Sequence, residues 1–334
     1  MVLVTITEIA EKAEVSRSTV VRVINKKGKV SEDKRVRVEQ ALDELGYVPN
    51  KIAQGLKNQS TKMIGHIMPS SYPNPFFARV SNAIEKSAHD LGYSVLTMIT
   101  DRDVEREQKM IEELLGRMVD GIIFTSAFST EQIKKVAKLE KPIIMLERAD
   151  DITGVDTILS DETAGSYAAT SYMIARGHRK IACIAHEPVY SVEKGRLNGY
   201  LKAVQSFGLD PEQYLKYVNY YSPEQGYEAA RELFGGNRTD ATAVFVGSDI
   251  LAVGVMQYFY DVGMKVPKDI SIIGYDDTYS GMLAPKLTTV ALPIEEIGRK
   301  AVELLIERTA APELEAREVK LVPYLIERQS VGSV

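Results

Sequence analysis

The chain has 334 residues, 45% of them hydrophobic and 26% charged, a composition that suits two ordinary domains plus a small one and excludes a low-complexity or collagen-like polymer. No apolar run approaches the ~20 residues that a bilayer-spanning helix needs, and the one cysteine, Cys183, has no partner for an internal disulfide and sits in an apolar run that predicts a buried, inert thiol. The net charge of −5 is unevenly divided: residues 1–60 carry 11 Lys/Arg against 8 Asp/Glu and the remainder 30 against 38, so the basic end is the N-terminal one.

Thr5-Ile6-Thr7-Glu8 has the form of a capping box, a hydroxyl that caps a helix start with Glu three residues on. No signal-peptide pattern is read before it. Ile6, Ile9, Ala10 and Ala13 then recur at helical spacing. Ser16 offers a second N-cap; Val20, Val23 and Ile24 give the next helix an apolar side, and Arg17, Ser18 and Arg22 face away from it. Two short helices packed through small residues, the second presenting arginine and hydroxyls, have the form of a helix-turn-helix that enters a major groove. The same residues also suit a surface hairpin with solvated arginines. Ser31-Glu32-Asp33 starts a third helix with acids at the positive end of its dipole; Val38, Ala41, Leu42 and Leu45 form its buried stripe and Gly46 stops it. Tyr47-Val48-Pro49-Asn50 breaks the chain, Lys51–Leu56 reads as a short, weak helix, and Lys57–Lys62 as a polar linker.

From Met63 the period changes. Apolar runs at Met63–Met68, Val95–Ile99, Gly121–Thr125 and Ile143–Leu146 alternate with helical stretches at Phe77–Leu91, Val104–Arg117 and Thr130–Leu139, the alternation of a doubly wound parallel sheet. It restarts with strands at Ile181–Ala185, Tyr217–Tyr221, Ala243–Val246 and Ile270–Tyr275 and helices at Tyr167–Arg176, Gly195–Phe207, Pro223–Phe234 and Ile250–Val262. Two similar α/β lobes are therefore expected, with Ile294–Glu307 and Val319–Ile326 adding one more helix and strand. The chain has no G-x-G-x-x-G, P-loop, H-E-x-x-H or G-x-S-x-G, and His66, His89, His178 and His186 lack metal-ligand spacing. Neither an enzyme, nor a metal, nor a cofactor is expected; His178 reads as a helix-end residue.

VTITEIAEKAEVSRSTVVRVIN followed by LGYVPNKIAQGL resembles the DNA-binding headpiece and hinge of the lactose/galactose repressor (LacI/GalR) family of bacterial transcriptional regulators. The resemblance continues through SYPNPFFARV, VDGIIF, ARGHRKIA, GRLNGY, FVGSDILAVG, SIIGYDDT and LTTV, over nearly the whole chain. It implies a small all-α helix-turn-helix headpiece at 1–47 and a hinge helix and linker at 48–61. A periplasmic-binding-protein-like α/β core of two doubly wound parallel-sheet lobes would follow, the N-terminal lobe from 62–160 with 291–320 and the C-terminal lobe from 161–290 with 321–330. Three strands cross between the lobes in that family, which returns helix 294–307 to the first lobe and puts a ligand cleft at the carboxyl ends of the strands.

The resemblance assigns base reading to Arg17, Ser18 and Arg22, with Arg22 on a guanine at ~1–3 kcal/mol per bidentate pair and Arg17 setting subgroup preference. It makes Thr5, Ser16, Thr19 and Asn25 phosphate-positioning groups. Asn50, Ala53 and Leu56 are implied contacts of the hinge, Leu56 as a minor-groove wedge beside its twin from a second subunit. That hinge should order only on DNA, since Gly55 weakens it and helices under ~12–15 residues are marginal alone. Two positions depart from the family: Glu14 stands at the turn where Gly is common, and Val21 where Ser is usual. In the core, Arg196, opening the helix GRLNGYLKAV, and Asp276 are implied effector contacts suited to a hydroxyl-rich ligand. Glu147, Phe76, Tyr190 and Tyr221 join them, with Asp161 and Asp249 as further candidates, Asp249 equally suited to an N-cap, while Asp277 reads as turn chemistry.

The implied partners are palindromic operator DNA, a second copy of the chain, and a sugar or sugar derivative that changes the angle between the first lobes and hence operator affinity. First-lobe dimer surfaces are expected on Ala78–Leu91 and Arg102–Met118. A dimer is favoured because the sequence ends soon after ERQS, without a heptad tail. No membrane partner is expected, and the implied place of action is the cytoplasm, at the nucleoid. An alternative is a catabolite-control-type regulator with a phosphorylated carrier protein as corepressor, against which the acidic stretch Pro293–Glu296 counts. A solute-binding protein or an α/β enzyme fits less, lacking an export signal or catalytic motifs.

Overall fold

The computed structural model describes residues 4–26, 28–47, 60–70, 74–126, 129–139, 141–148, 152, 154–211, 214–237 and 239–334. They fall into two units, Met1–Thr61 and Lys62–Val334. In the first unit, α1 (Ile6–Lys12), α2 (Arg17–Ile24) and α3 (Glu32–Leu45) enclose a core of Ile9, Ala10, Ala13, Val20, Val38 and Ala41. The capping box closes in both directions. Thr5 Oγ1 accepts from the Glu8 N–H at 3.3 Å, and Glu8 Oε2 accepts from the Thr5 N–H at 2.6 Å. Ser16 caps α2 by accepting from the Thr19 N–H, and left-handed Gly46 ends α3 at φ 60°. Glu14 does sit in the left-handed region, at φ 50°, where glycine would relieve roughly 1 kcal/mol. The expected hinge, with Asn50, Ala53 and Leu56, lies outside the described residues.

The second unit holds two six-stranded sheets. The first contains β1 (Met63–Met68), β2 (Ser94–Ile99), β3 (Gly121–Thr125), β4 (Ile143–Leu146), β5 (Asp156–Ser160) and β11 (Glu318–Leu321), in the order β11-β5-β4-β3-β1-β2 and all parallel. The second contains β6 (Ile181–His186), β7 (Leu215–Val218), β8 (Ala243–Val246), β9 (Ser271–Tyr275), β10 (Thr288–Ala291) and β12 (Tyr324–Ile326), in the order β12-β10-β9-β8-β6-β7, with only β12 antiparallel. In each sheet the order reverses beside the first strand, which opens a crevice at the carboxyl ends of the strands. The helices α4 (Phe76–Asp90), α5 (Val104–Gly116), α6 (Thr130–Ala137) and α11 (Ile294–Ala310) belong to the first lobe, where α4 packs on α11. In the second lobe α7 (Glu162–Ala175) packs on α8 (Ser191–Ser206), and α9 (Pro223–Phe234) on α10 (Asp249–Asp261). The chain crosses between lobes after β5, β10 and β11.

Several elements differ from their sequence reading. The run Val319–Ile326 is two strands rather than one, because Pro323 has no N–H to offer a ladder and divides them between the sheets. β5 and β10 lack a long apolar run and escape the periodic reading. The strand expected at Tyr217–Tyr221 lies earlier, at Leu215–Val218. α7 starts at Glu162 rather than Tyr167, its first turn being small and polar yet buried. α8 starts at Ser191, so Arg196 sits in its second turn instead of opening it. Cys183 is buried, and burial pushes its thiol well above the ordinary range.

Two glycines bring α9 and α10 into backbone contact. A Cβ on Gly254 would lie 1.7 Å from the Pro223 carbonyl oxygen, and one on Gly226 2.0 Å from that of Leu251. Gly254→Ala is expected to destabilise the second unit by about 3 kcal/mol, read as a lower urea midpoint with the headpiece fold retained. An unchanged midpoint would mean that these helices separate freely.

Candidate functional site

The outer face of α2 is one candidate surface. Val20 is buried beneath it, and Arg17, Ser18 and Arg22 are exposed. Ser16 Oγ lies 2.9 Å from both Ser18 Oγ and Thr19 Oγ1, so the helix start carries a cluster of hydroxyls. Thr5 and Asn25 are also exposed and Thr19 is half-buried. On α3, Arg35 pairs with Glu32, and Arg37 with Asp33 and with Glu14 of the turn. Among the described residues Arg17 and Arg22 have no carboxylate partner, which leaves two guanidiniums on one helix face with all their donors available to outside acceptors.

The second candidate is a cavity of about 380 Å³ between the lobes of the second unit, a size suited to a small molecule. Six of the eight expected residues line it: Phe76 and Glu147 from the first lobe, Tyr190, Arg196, Tyr221 and Asp276 from the second. Arg196 is buried. Its Nε donates to Glu162 Oε2 at 2.8 Å, Nη2 to Asp276 Oδ1 at 2.8 Å and Nη1 to the Gly247 carbonyl at 2.6 Å, and the Tyr275 ring lies 4.0 Å from its Cζ. Burial works against its charge, but Asp276 and Glu162 keep it firmly protonated. Glu147 is held by Ser160 Oγ at 2.9 Å; burial, reinforced by the nearby Glu162, pushes its carboxyl up to about 8.

Asp161 and Asp249 do not line the cavity. Asp161 caps α7 by accepting from the Ala164 N–H and pairs with Lys320 at 3.1 Å. Asp249 is the first residue of α10, whose cap is Ser248. Its buried carboxylate accepts from Thr289 Oγ1 at 2.7 Å and from the Thr278 N–H at 2.8 Å, which ties down the turn that carries Asp276. Burial pushes it up to about 7. Asp277 is turn chemistry, paired with Arg328 at 2.7 Å and with Ser280. His178, beyond the end of α7, is buried against Thr242. Tyr221 stacks on His186 with centroids 4.8 Å apart, and Arg148 lies 3.4 Å over the Tyr190 ring.

The sequence reading missed Glu162, which resembles an ordinary first-turn acid, and Arg148, Glu193 and Ser126 of the lining. A geometric signal marks several of these places. Ser126, Glu147 and Asp276 follow directly on β3, β4 and β9 and all have left-handed backbones, at φ 53°, 61° and 96°. Such conformations are costly for non-glycine residues and concentrate where a site needs a side chain aimed inward.

Residues 5–50 match the family described as bacterial regulatory proteins, lacI family, and residues 170–331 the periplasmic binding protein-like domain. The HTH-type transcriptional regulator DegA of Bacillus subtilis is 34% identical over 98% of this chain and 98% of its own. The ribose operon repressor of Escherichia coli is 34% identical over 98% of this chain and 100% of its own. A crystal structure of the Lac repressor dimer bound to operator and the anti-inducer ONPF superposes with a TM-score of 0.89 at 27% identity, covering 99% of this chain and 100% of that one.

The buried acids have a consequence for stability. Glu147 and Asp249, raised from 4.5 and 3.8 to about 8 and about 7, keep protons in the folded chain that the unfolded chain has released. The folded state therefore binds more protons, and stability falls as pH rises through this window. His66, lowered to about 4 by burial, acts in the opposite sense only below its ordinary 6.5. Between pH 6.5 and about 8 the thermal midpoint should fall, and Glu147→Gln should flatten that fall. A midpoint constant over this range would contradict the assignment.

Proposed function

The chain belongs to the lacI family of bacterial regulatory proteins, and from that premise we propose that it is a repressor working as a homodimer, whose paired headpieces bind a palindromic operator and whose interlobe cleft takes a small hydroxyl-rich effector. The observation that carries this reading is the pair of exposed arginines on α2, free of the carboxylates that engage the arginines of α3. Arg22 and Arg17, with Ser18, read base edges in the major groove, and Thr5, Ser16, Thr19 and Asn25 hold phosphates. Asn50, Ala53 and Leu56 of the hinge complete the interface in the minor groove, where Leu56 acts as a wedge.

In the cleft, Arg196 and Asp276 offer a fixed donor and acceptor pair to ligand hydroxyls, and Phe76, Tyr190 and Tyr221 offer faces to a sugar ring. A sugar or sugar derivative is favoured by this mixture, and the ribose operon repressor is a relative named for a sugar operon. Binding draws on residues of both lobes, so it biases the angle between them and, through the hinge, the fit of both headpieces to DNA. Couplings of this kind amount to ~1–3 kcal/mol. The protein acts in the cytoplasm, on DNA, and performs no catalysis.

Binding to a symmetric operator, followed by gel shift, tests the DNA half. Arg22→Ala should weaken it by about 1–3 kcal/mol and relax preference at one base pair. Leu56→Ala should weaken binding with the second unit still folded; unchanged affinity removes the wedge. Arg196→Ala should abolish the effector response while operator binding persists, and a normal response would take Arg196 out of the effector site.

A further inference from the structure

The floor of the cleft has more buried negative charge than the fold itself answers. Glu147, Glu162 and Asp276 are 4%, 5% and 3% exposed, and the one guanidinium buried among them is that of Arg196, at 7%. Arg196 pairs with Glu162 and Asp276 and gives its third bond to a carbonyl. Glu147 is left out of this arrangement: among the described residues Ser160 alone hydrogen-bonds it. One further carboxylate oxygen of the lining, Oε2 of Glu193, is buried with no hydrogen-bond partner, while Glu162, behind the lining, is engaged by Arg196 and by the Tyr275 hydroxyl. Two other arginines line the cavity, and among the described residues neither hydrogen-bonds Glu147. Arg102 is exposed, and the guanidinium of Arg148 lies 3.4 Å over the Tyr190 ring. Asp249, the remaining buried acid nearby, is satisfied by Thr289 and Thr278 and adds no acceptor to the cleft.

A buried carboxylate without a cation is costly to keep ionised, and burial accordingly favours the protonated form of Glu147. The lining also includes Phe76, Phe77, Tyr190, Tyr220 and Tyr221. Aromatic faces carry negative charge and attract cations. Carboxyl groups without a cation beside aromatic rings form a surface complementary to an ammonium group, beside which Glu147 can give up its proton.

We propose that the effector of this cleft is a small polyol bearing a protonated amine, of the amino-sugar class, with its ammonium against Glu147 and its hydroxyls on Arg196 and Asp276. This rests on the reading of the cleft as the effector site, and it narrows the ligand from sugars in general to cationic ones.

Calorimetric titration of the full chain with matched pairs tests it: glucosamine and glucose, galactosamine and galactose, mannosamine and mannose, with glucose 6-phosphate as the anionic control. At least one amine should bind about tenfold tighter than its neutral parent. Glu147→Gln, which keeps the shape and removes the charge, should bring that pair within about threefold, and Glu193→Gln should narrow the gap in the same direction. Neutral sugars or the phosphate binding as tightly as the amines would overturn the proposal and leave the cleft reading standing. An amine preference that survives in both variants overturns it as well, as does a panel with no binder. An amine that binds Arg196→Ala as well as the wild type lies outside the cleft, and that result would remove the cleft reading itself.

Discussion

A guanidinium shut away from water has to be answered on every side, and Arg196 is answered from four elements at once. Glu162 comes from the first turn of α7, Asp276 from beyond β9, the Gly247 carbonyl from beyond β8, and the Tyr275 ring from β9 itself. Removing one of the two carboxylates would leave buried charge uncompensated, a loss on the order of 3–5 kcal/mol. The close packing of α7 on α8 serves this contact. A Cβ on Gly195 would lie 2.7 Å from Glu162 Cβ, and one on Gly199 2.4 Å from the Thr163 carbonyl oxygen. The second lobe is thereby held as a rigid wall, and the cleft opposite it inherits a fixed donor and acceptor pair.

The cleft is asymmetric as a result. On its second-lobe wall Arg196 is paired internally with Asp276 and Glu162, while Glu147 on the first-lobe wall has only the hydroxyl of Ser160. A ligand meets a prepared side and an unfinished one. Residues on the unfinished side, including Ser126 and Glu147, are held in left-handed backbone conformations at strand ends, so the first lobe keeps conformational strain where it meets the ligand.

What was legible in the sequence follows from how far apart the interacting residues lie. The headpiece reads well because its signals are local: Thr5 caps with Glu8, Ser16 with Thr19, and Gly46 turns the chain where α3 ends. Buried parallel strands also announce themselves as apolar runs, as β3, β4, β8 and β9 do. β5 and β10 do not, being short and half polar. Glu162 was missed because its partner lies 34 residues on, and an acid in a first helical turn has an ordinary local explanation. Asp249 reads as either cap or cleft residue; it lies one position past the cap and outside the cavity lining, bonded to Thr278 and Thr289, 29 and 40 positions away. Arg196 and Asp276 were found through the family resemblance rather than through any periodicity.

The threading of the chain between the lobes bears on how the molecule is made. Residues 5–47 are contiguous and can fold as soon as they leave the ribosome. The first lobe, begun at Met63, still lacks α11 and its edge strand β11 until Leu321 has been synthesised. At the ~5–20 residues per second of translation, the nascent chain passes through a stage in which the headpiece is complete and the receptor that governs it is not. In a bacterium, where the message is translated close to the chromosome, a stalled or truncated product would be a reader without a governor.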